Sequence, residues 1–266
     1  MRLLTPLELR PSAALVRANP LAKLAGAAIL LVALLVSLDW VTASVILAVL
    51  VALIPHSGLD PRALGARSWF IVVTAISIGA FNVLFASVQS GTTIELGPVR
   101  VGSQTLIDGA GLSIRLLAVA LAGILATATS QPTDVADALI QQLRVSPRFA
   151  VGALASLRLI PSLARDWQTV SLARRARGVD AGRSPIAVAR LFAGGLLTLL
   201  IAAVRRGSRM ALAMEARGFG ALPCRTVARV QRMRAADWGW IAAAGLLASA
   251  AVGVSIMLGT WRPLLG

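Results

Sequence analysis

Long apolar runs dominate the chain, at residues 21–38, 41–54, 69–88, about 109–129 and 238–258. A helix needs about 20 mostly apolar residues to cross the hydrocarbon core of a bilayer. Every backbone polar group there must be bonded within the segment, so runs of this length predict membrane-spanning helices. The first run carries only Lys23, at its start, and stops at Asp39 and Trp40. The second follows at once and ends at Pro55, so the two form either a tight helical hairpin or one long broken element. The third has no ionisable residue. The last is flanked by Trp238 and Trp240 on one side and Trp261 on the other, the aromatic pattern of membrane interfaces. Arg115 lies inside the fourth run. A charge at the bilayer centre costs about 2.5–3.5 kcal/mol on insertion scales. Its side chain is therefore expected to snorkel to the interface or to pair with Asp108, two helical turns earlier.

Residues 130–237 are too many for a simple connection. Ser130-Gln131-Pro132-Thr133-Asp134 predicts a helix start, with Asp134 near the positive end of the dipole, and helical periodicity runs on through Leu143. Ser146-Pro147 breaks it. A second helix is predicted over 148–177, with a kink or break at Pro161, and a third over 185–217, ending at Gly218 and bent at Gly194-Gly195. Within the third, residues 191–204 are mostly apolar but short for a full crossing. These helices are expected to lie along the cytoplasmic interface and partly against the spans, with arginine on the wet face. The expected fold is thus an all-α integral membrane protein of about five transmembrane helices plus long cytoplasmic amphipathic coupling helices. Its expected parts are an N-terminal arm with four spans (1–129), a cytoplasmic coupling-helix region (130–237) and a C-terminal span (238–266).

Composition agrees. Of 266 residues, 57% are hydrophobic and 14% charged, with a mean hydropathy of +0.80; a soluble domain carries about 25% charged residues. A disordered chain, a coiled coil and a disulfide-rich module are excluded, and an ordinary soluble enzyme is disfavoured. Cys224 is the only cysteine, so no intrachain disulfide can form, and His56 is the only histidine, which excludes a His-based metal site or triad within the chain. No cleavable signal peptide is expected, because the first apolar stretch begins near residue 21 with no small-residue cleavage site after it. The net charge of +15 is unevenly placed: residues 144–234 hold 17 of the 26 basic residues and 3 of the 11 acidic ones. By the positive-inside rule the N-terminus, the 55–68 loop and the long basic region face the cytoplasm. The 39–40 turn, the 90–108 loop and the C-terminus face out.

Two short sequences stand out in the basic region. Arg174-Arg175-Ala176-Arg177-Gly178 closes the second predicted helix, and Met214-Glu215-Ala216-Arg217-Gly218-Phe219-Gly220 closes the third. Ala-Arg-Gly thus occurs twice, 40 positions apart. At 100° per residue, Leu163, Trp167, Val170, Arg174 and Arg177 share one stripe, and Met210, Met214 and Arg217 another. Gly178 and Gly218 suit the left-handed conformation that stops a helix, and a cation in the last turn complements the helix dipole. One such ending is ordinary capping; two identical ones suggest a pair of helix tips, each offering a planar fork of donors to a carboxylate in a groove.

At these residues the chain resembles the transmembrane T component (EcfT/CbiQ family) of energy-coupling-factor importers, whose members carry two such motifs at the ends of long coupling helices. The stretch from Gln131 through Pro161, with Ser146-Pro147-Arg148-Phe149 and Arg158-Leu159-Ile160-Pro161, resembles the family's lead-in to the first motif. Asn19-Pro20-Leu21-Ala22-Lys23 departs from the family's Asp-Pro-Arg run followed by lysine. The resemblance implies a subunit that bridges two cytoplasmic ABC ATPases to a membrane-embedded substrate-binding S component. It implies ATPase binding at Arg174, Arg175, Ala176, Arg177 and Gly178 and at Glu215, Ala216, Arg217 and Gly218. Arg177 and Arg217 would each enter an acidic groove, and closure of the ATPases on ATP would drive uptake of a vitamin or a transition-metal ion.

The residues themselves limit the alternatives. No G-x-x-x-x-G-K-[ST] occurs and Lys23 is the only lysine, so the chain is not itself a P-loop ATPase; ATP would be used by partners, and no cofactor or metal is expected in this chain. Intramembrane carboxylates for a proton relay are nearly absent. The permease subunit of another ABC transporter is the alternative, and two separated tips favour the T component over it. A polytopic membrane enzyme would need a cluster of carboxylates, histidines or a metal motif; Asp134 and Asp137 come nearest, and the helix dipole accounts for them. Attraction to anionic lipid explains the surplus charge more simply than a nucleic acid does.

Overall fold

A computed structural model describes residues 13–85, 93–96, 99–179, 182, 184–219, 227 and 229–263. Of the positions singled out in the sequence, the end of the 69–88 run, Gly220 and Cys224 lie outside these residues. The elements are α1 (Ala14–Arg17), α2 (Pro20–Val36), α3 (Trp40–Leu53, continued by a 3-10 turn, Ile54–His56), α4 (Pro61–Phe85), β1 (Thr93–Leu96), β2 (Val99–Gly102), α5 (Ser103–Ala128), α6 (Pro132–Gln142), α7 (Pro147–Ala176), α8 (Pro185–Ala216) and α9 (Ala235–Met257). The fold is that of an all-α membrane protein. Among the described residues two short strands pair antiparallel, Thr93 with Gly102 and Glu95 with Arg100, within the segment read from sequence only as a loop.

The chain forms two compact units, one comprising Met1–Ala138 with Gln231–Gly266, the other Leu139–Val230. In the first, α5 packs against α2, α3 and α4, while α9 packs against α2 and α3. The core combines Leu30, Leu34, Ile46, Leu50 and Leu125 with Ala43, Ala118, Ala122, Ala248 and Ala251. Lipid tails are as apolar as leucine, so helices in a bilayer associate through close packing, and small residues at the contacts permit it. Gly79 and Gly109 show this at the α4–α5 crossing: a β-carbon at Gly79 would lie 2.5 Å from the Gly109 carbonyl oxygen. Trp69, Phe70, Phe81 and Phe85 of α4 point away from the bundle and are exposed, as lipid-facing side chains are.

By length and composition, α5, α8, α9 and the Ser68–Phe85 part of α4 are long and apolar enough to cross a membrane, whereas α2 and α3 are shorter apolar helices. The apolar stretch at 191–204 lies within one helix of 32 residues, the extent that the sequence predicts, and this helix as a whole is long enough to cross although that stretch by itself is short. Pro161 sits inside a continuous α7, so no break falls there.

The first two apolar runs form two helices rather than one broken element, and they meet each other little; each rests mainly on α5 and α9. The turn between them explains this. Ser37 is extended, forms a β-bridge with Pro263, and the Leu38 N–H donates to the Arg262 carbonyl at 2.8 Å. Asp39 then caps α3, accepting from the Thr42 N–H at 2.6 Å and from the Ser37 hydroxyl. Burial alone would raise the pKa of Asp39. Hydrogen bonds from Ser37, the Thr42 backbone, Ser255 and the Thr42 hydroxyl outweigh it and hold the carboxyl below the usual carboxylate range.

Arg115 reaches this same turn. Its guanidinium donates to the Ser37 carbonyl oxygen, not to Asp108. Asp108 pairs instead with Arg262 at 3.4 Å and accepts from Gln104 at 3.2 Å. Two turns of helix separate Arg115 from Asp108 along α5, while the α2–α3 turn offers an acceptor at Arg115's own depth.

Candidate functional site

The second unit contains α7 and α8, and the two singled-out motifs are their C-terminal ends. α7 stops at Ala176 with Arg177 as cap (φ −87°, ψ 6°), and α8 stops at Ala216 with Arg217 as cap (φ −88°, ψ 8°). Gly178 and Gly218 follow at φ 72° and 74°, a left-handed conformation that costs glycine nothing. Gly178 N–H donates to the Arg175 carbonyl at 2.9 Å and Val179 N–H to that of Arg174 at 3.0 Å. At the second end, Gly218 N–H donates to the Glu215 carbonyl at 2.8 Å and Phe219 N–H to that of Met214 at 3.0 Å. This is the two-bond Schellman closure, built twice with the same donors and acceptors. The repeated Ala-Arg-Gly therefore encodes one local structure, in which the backbone of the arginine is fixed while its side chain is left outside.

The side chains of the first motif divide. Arg175 and Arg177 are exposed, as are Glu215 and Arg217 of the second. Arg174 is half-buried, and its Nη1 donates to the Leu191 carbonyl oxygen at 2.6 Å. It thus faces α8 together with Trp167 and Val170, the apolar part of its stripe, along a groove that also includes Val188 and Phe192. The Trp167 and Phe192 rings meet edge to face at 5.4 Å.

Gly194 and Gly195 admit these groups. A β-carbon on Gly195 would lie 2.6 Å from the Trp167 ring, and one on Gly194 would lie 3.4 Å from Arg174 Nη2. The glycine pair read from sequence as a bend is a place of close helix approach. Its signal was present: glycine inside a helix costs about 1 kcal/mol relative to alanine, so two in succession need a packing reason.

Further along, Arg206 Nη1 donates to the Ser162 hydroxyl at 2.7 Å, and Nη2 pairs with Asp166 at 3.0 Å. The end of α7 therefore meets the start of α8, and the middle of α7 meets the later part of α8. The helices run antiparallel and their arginine-capped ends point opposite ways. About 40 Å of α8 lies between Leu191, which Arg174 touches, and Arg217, at about 1.5 Å per residue. Met210 is exposed and Met214 half-buried on the stripe leading to Arg217. Chemically, the pair presents two guanidiniums on rigid, identically built supports, suited to bidentate bonding with carboxylates.

These features define a multi-pass helical membrane protein with a paired-helix unit ending in two matched arginine tips. The chain belongs to the CbiQ family: the family model, described as cobalt transport protein, matches residues 11–227. It is similar to the energy-coupling factor transporter transmembrane protein EcfT of Lacticaseibacillus paracasei, 34% identical over 193 residues, covering 67% of this chain and 68% of that one. The protein of the same description from Heliobacterium modesticaldum is 30% identical over 203 residues, 73% of this chain and 71% of its own. That from Listeria innocua is 28% identical over 241 residues, 83% of this chain and 86% of its own.

Proposed function

We propose that this chain is the transmembrane T component of an energy-coupling-factor importer. In this reading it transmits ATP-driven closure of two cytoplasmic ABC ATPases to a membrane-embedded S component that carries a vitamin or a transition-metal ion. The observation that carries the proposal is the duplicated, identically capped Ala-Arg-Gly end, one on each helix of an antiparallel pair. One tip would suffice to bind one partner; two tips facing apart suit two equivalent ATPases that approach each other. Arg177 and Arg217 enter acidic grooves, with Arg175, Ala176, Gly178, Glu215, Ala216 and Gly218 forming the surrounding contact. Arg174 acts within the chain by holding the crossing. The subunit is not an enzyme and holds no cofactor; hydrolysis of ATP belongs to the ATPases. Family membership and the EcfT relatives support the assignment.

The N-terminus and the basic region lie on the cytoplasmic side of the cell membrane. The 39–40 turn, the hairpin segment and the C-terminus lie on the other, as the distribution of arginine favours. Two contacts agree with this topology. Asn19 bonds to Asp237, joining two segments assigned to the cytoplasmic end, and Asp108 bonds to Arg262, joining two assigned to the opposite end. The test is charge reversal. Arg177→Glu with Arg217→Glu should abolish co-purification of the ATPases and uptake while insertion persists. Undiminished co-purification of the double variant would overturn the proposal.

A further inference from the structure

The first turn of α2 holds two distant parts of the membrane bundle at once. Lys23, the only lysine and only 7% exposed, donates from Nζ to the Thr129 carbonyl oxygen at 2.9 Å and lies 3.4 Å from its hydroxyl. Thr129 is the C-cap of α5, so the ammonium occupies the negative end of that helix and satisfies a carbonyl the helix leaves open. Four residues earlier in the chain, the Asn19 N–H donates to Asp237 Oδ1 at 2.7 Å. Asp237 is itself the cap partner of α9, accepting the Arg234 N–H on Oδ2 at 2.8 Å. Asn19, Lys23, Thr129 and Asp237 are all at least nine-tenths buried. Burial disfavours the Lys23 charge, and the carboxylates of Asp134 and Asp237 favour it.

The position of these groups along the chain gives them a meaning. Thr129 ends α5, after which α6 leads the chain into residues 139–230, and Asp237 lies in the first turn of α9, the first helix after it returns. We infer that Asn19, Lys23 and Asp237 form a clamp that holds together the C-terminal end of α5 and the first turn of α9, the two parts of the membrane bundle between which α6 and residues 139–230 are inserted in the chain. They are positioning residues for coupling. The inference rests on the reading of 139–230 as the coupling unit. A lever transmits force only if its attachment does not yield, and charge-assisted hydrogen bonds are shorter and roughly twice as strong as neutral ones.

Hydrogen exchange of the purified full chain in detergent tests the clamp without any partner. In Lys23→Met, amides in both windows, 129–135 and 234–238, should exchange about ten-fold faster, while those near Ala118 and Ala122 stay protected. Lys23→Arg, which keeps the charge, should restore most of the protection. A response in only one window, or Arg performing no better than Met, would overturn the clamp. If Lys23→Met loosens the helix centres as well, the near-isosteric Asp237→Asn decides. Faster exchange at 129–135 supports the clamp, and a change confined to the start of α9 removes it. With ATPases and S component present, Asp237→Asn should lower uptake about ten-fold per ATP hydrolysed, since only the attachment is weakened. Uptake that falls in step with hydrolysis would overturn the clamp. If no ATPase associates even with the unaltered chain, the T-component assignment fails, while the exchange result stands on its own.

Discussion

The Trp167 ring fills the space that a side chain on Gly195 would need, so close that a β-carbon there would stand 2.6 Å from it. The α7–α8 crossing is therefore set by the absence of a side chain. Gly195→Ala gains about 1 kcal/mol of helix propensity and loses about 1–3 kcal/mol to overpacking, so its net effect ranges from neutral to about 2 kcal/mol destabilising. Gly195→Leu gains nearly the same propensity but must place a far larger side chain against the Trp167 ring. It should lower the thermal midpoint of the purified protein and force the helices apart, measurable as a longer spin-label distance between α7 and α8. An unchanged distance would show that Trp167 simply swings aside.

Arg174 and Arg177 of the first motif should separate by experiment. Arg174→Met removes a charged donor from the half-buried Leu191 carbonyl and should cost about 1.5–3 kcal/mol of stability. Arg177→Met, at an exposed position, should change stability by less than about 0.5 kcal/mol yet weaken ATPase binding. Equal thermal losses in the two variants would contradict the division of roles.

The Arg206–Asp166 pair is short at 3.0 Å, but both side chains remain about 35% exposed. Solvent screening limits such a pair to about 0.2–1 kcal/mol. Asp166→Asn should therefore shift the thermal midpoint only slightly, and less at high salt than at low salt. A loss comparable to that of Arg174→Met would mean that the pair is far better shielded than its exposure indicates.

Asp39 gives a signed pH dependence. Its carboxyl is held below the usual range in the folded chain, so its contribution is complete above the unfolded value of about 3.9. That contribution is lost as pH falls through the lower folded value. Wild type should be more stable than Asp39→Asn at neutral pH, and the difference should shrink on acidification below about pH 4. A difference that does not vary with pH would show that the negative charge on Asp39 contributes nothing.

Much of the architecture was legible in local pattern. Apolar runs placed α2, α3, α9 and the main parts of α4 and α5, because a membrane span must satisfy its own backbone within one segment; the first turns of α4, from Pro61, and of α5, from Ser103, fall in segments read as loops, where no long apolar run marks them. Ser146-Pro147 and the two Arg-Gly endings placed the limits of α7 and α8 to within a residue or two, because caps act over three or four positions. The exposed arginines of the candidate site were found the same way. Local pattern could not separate Arg174 from Arg177, which lie on one stripe; only the partner helix, with Leu191 and the Gly194–Gly195 gap, turns one inward and leaves the other out. Nor could it pair Arg115 with Ser37, or Lys23 with Thr129, across 78 and 106 residues. The sequence by itself determined which segments are helices, where they stop and what their ends display, since those depend on neighbours along the chain. The tertiary structure alone decided which buried charges meet and which arginines stay free, since those depend on which helix comes alongside.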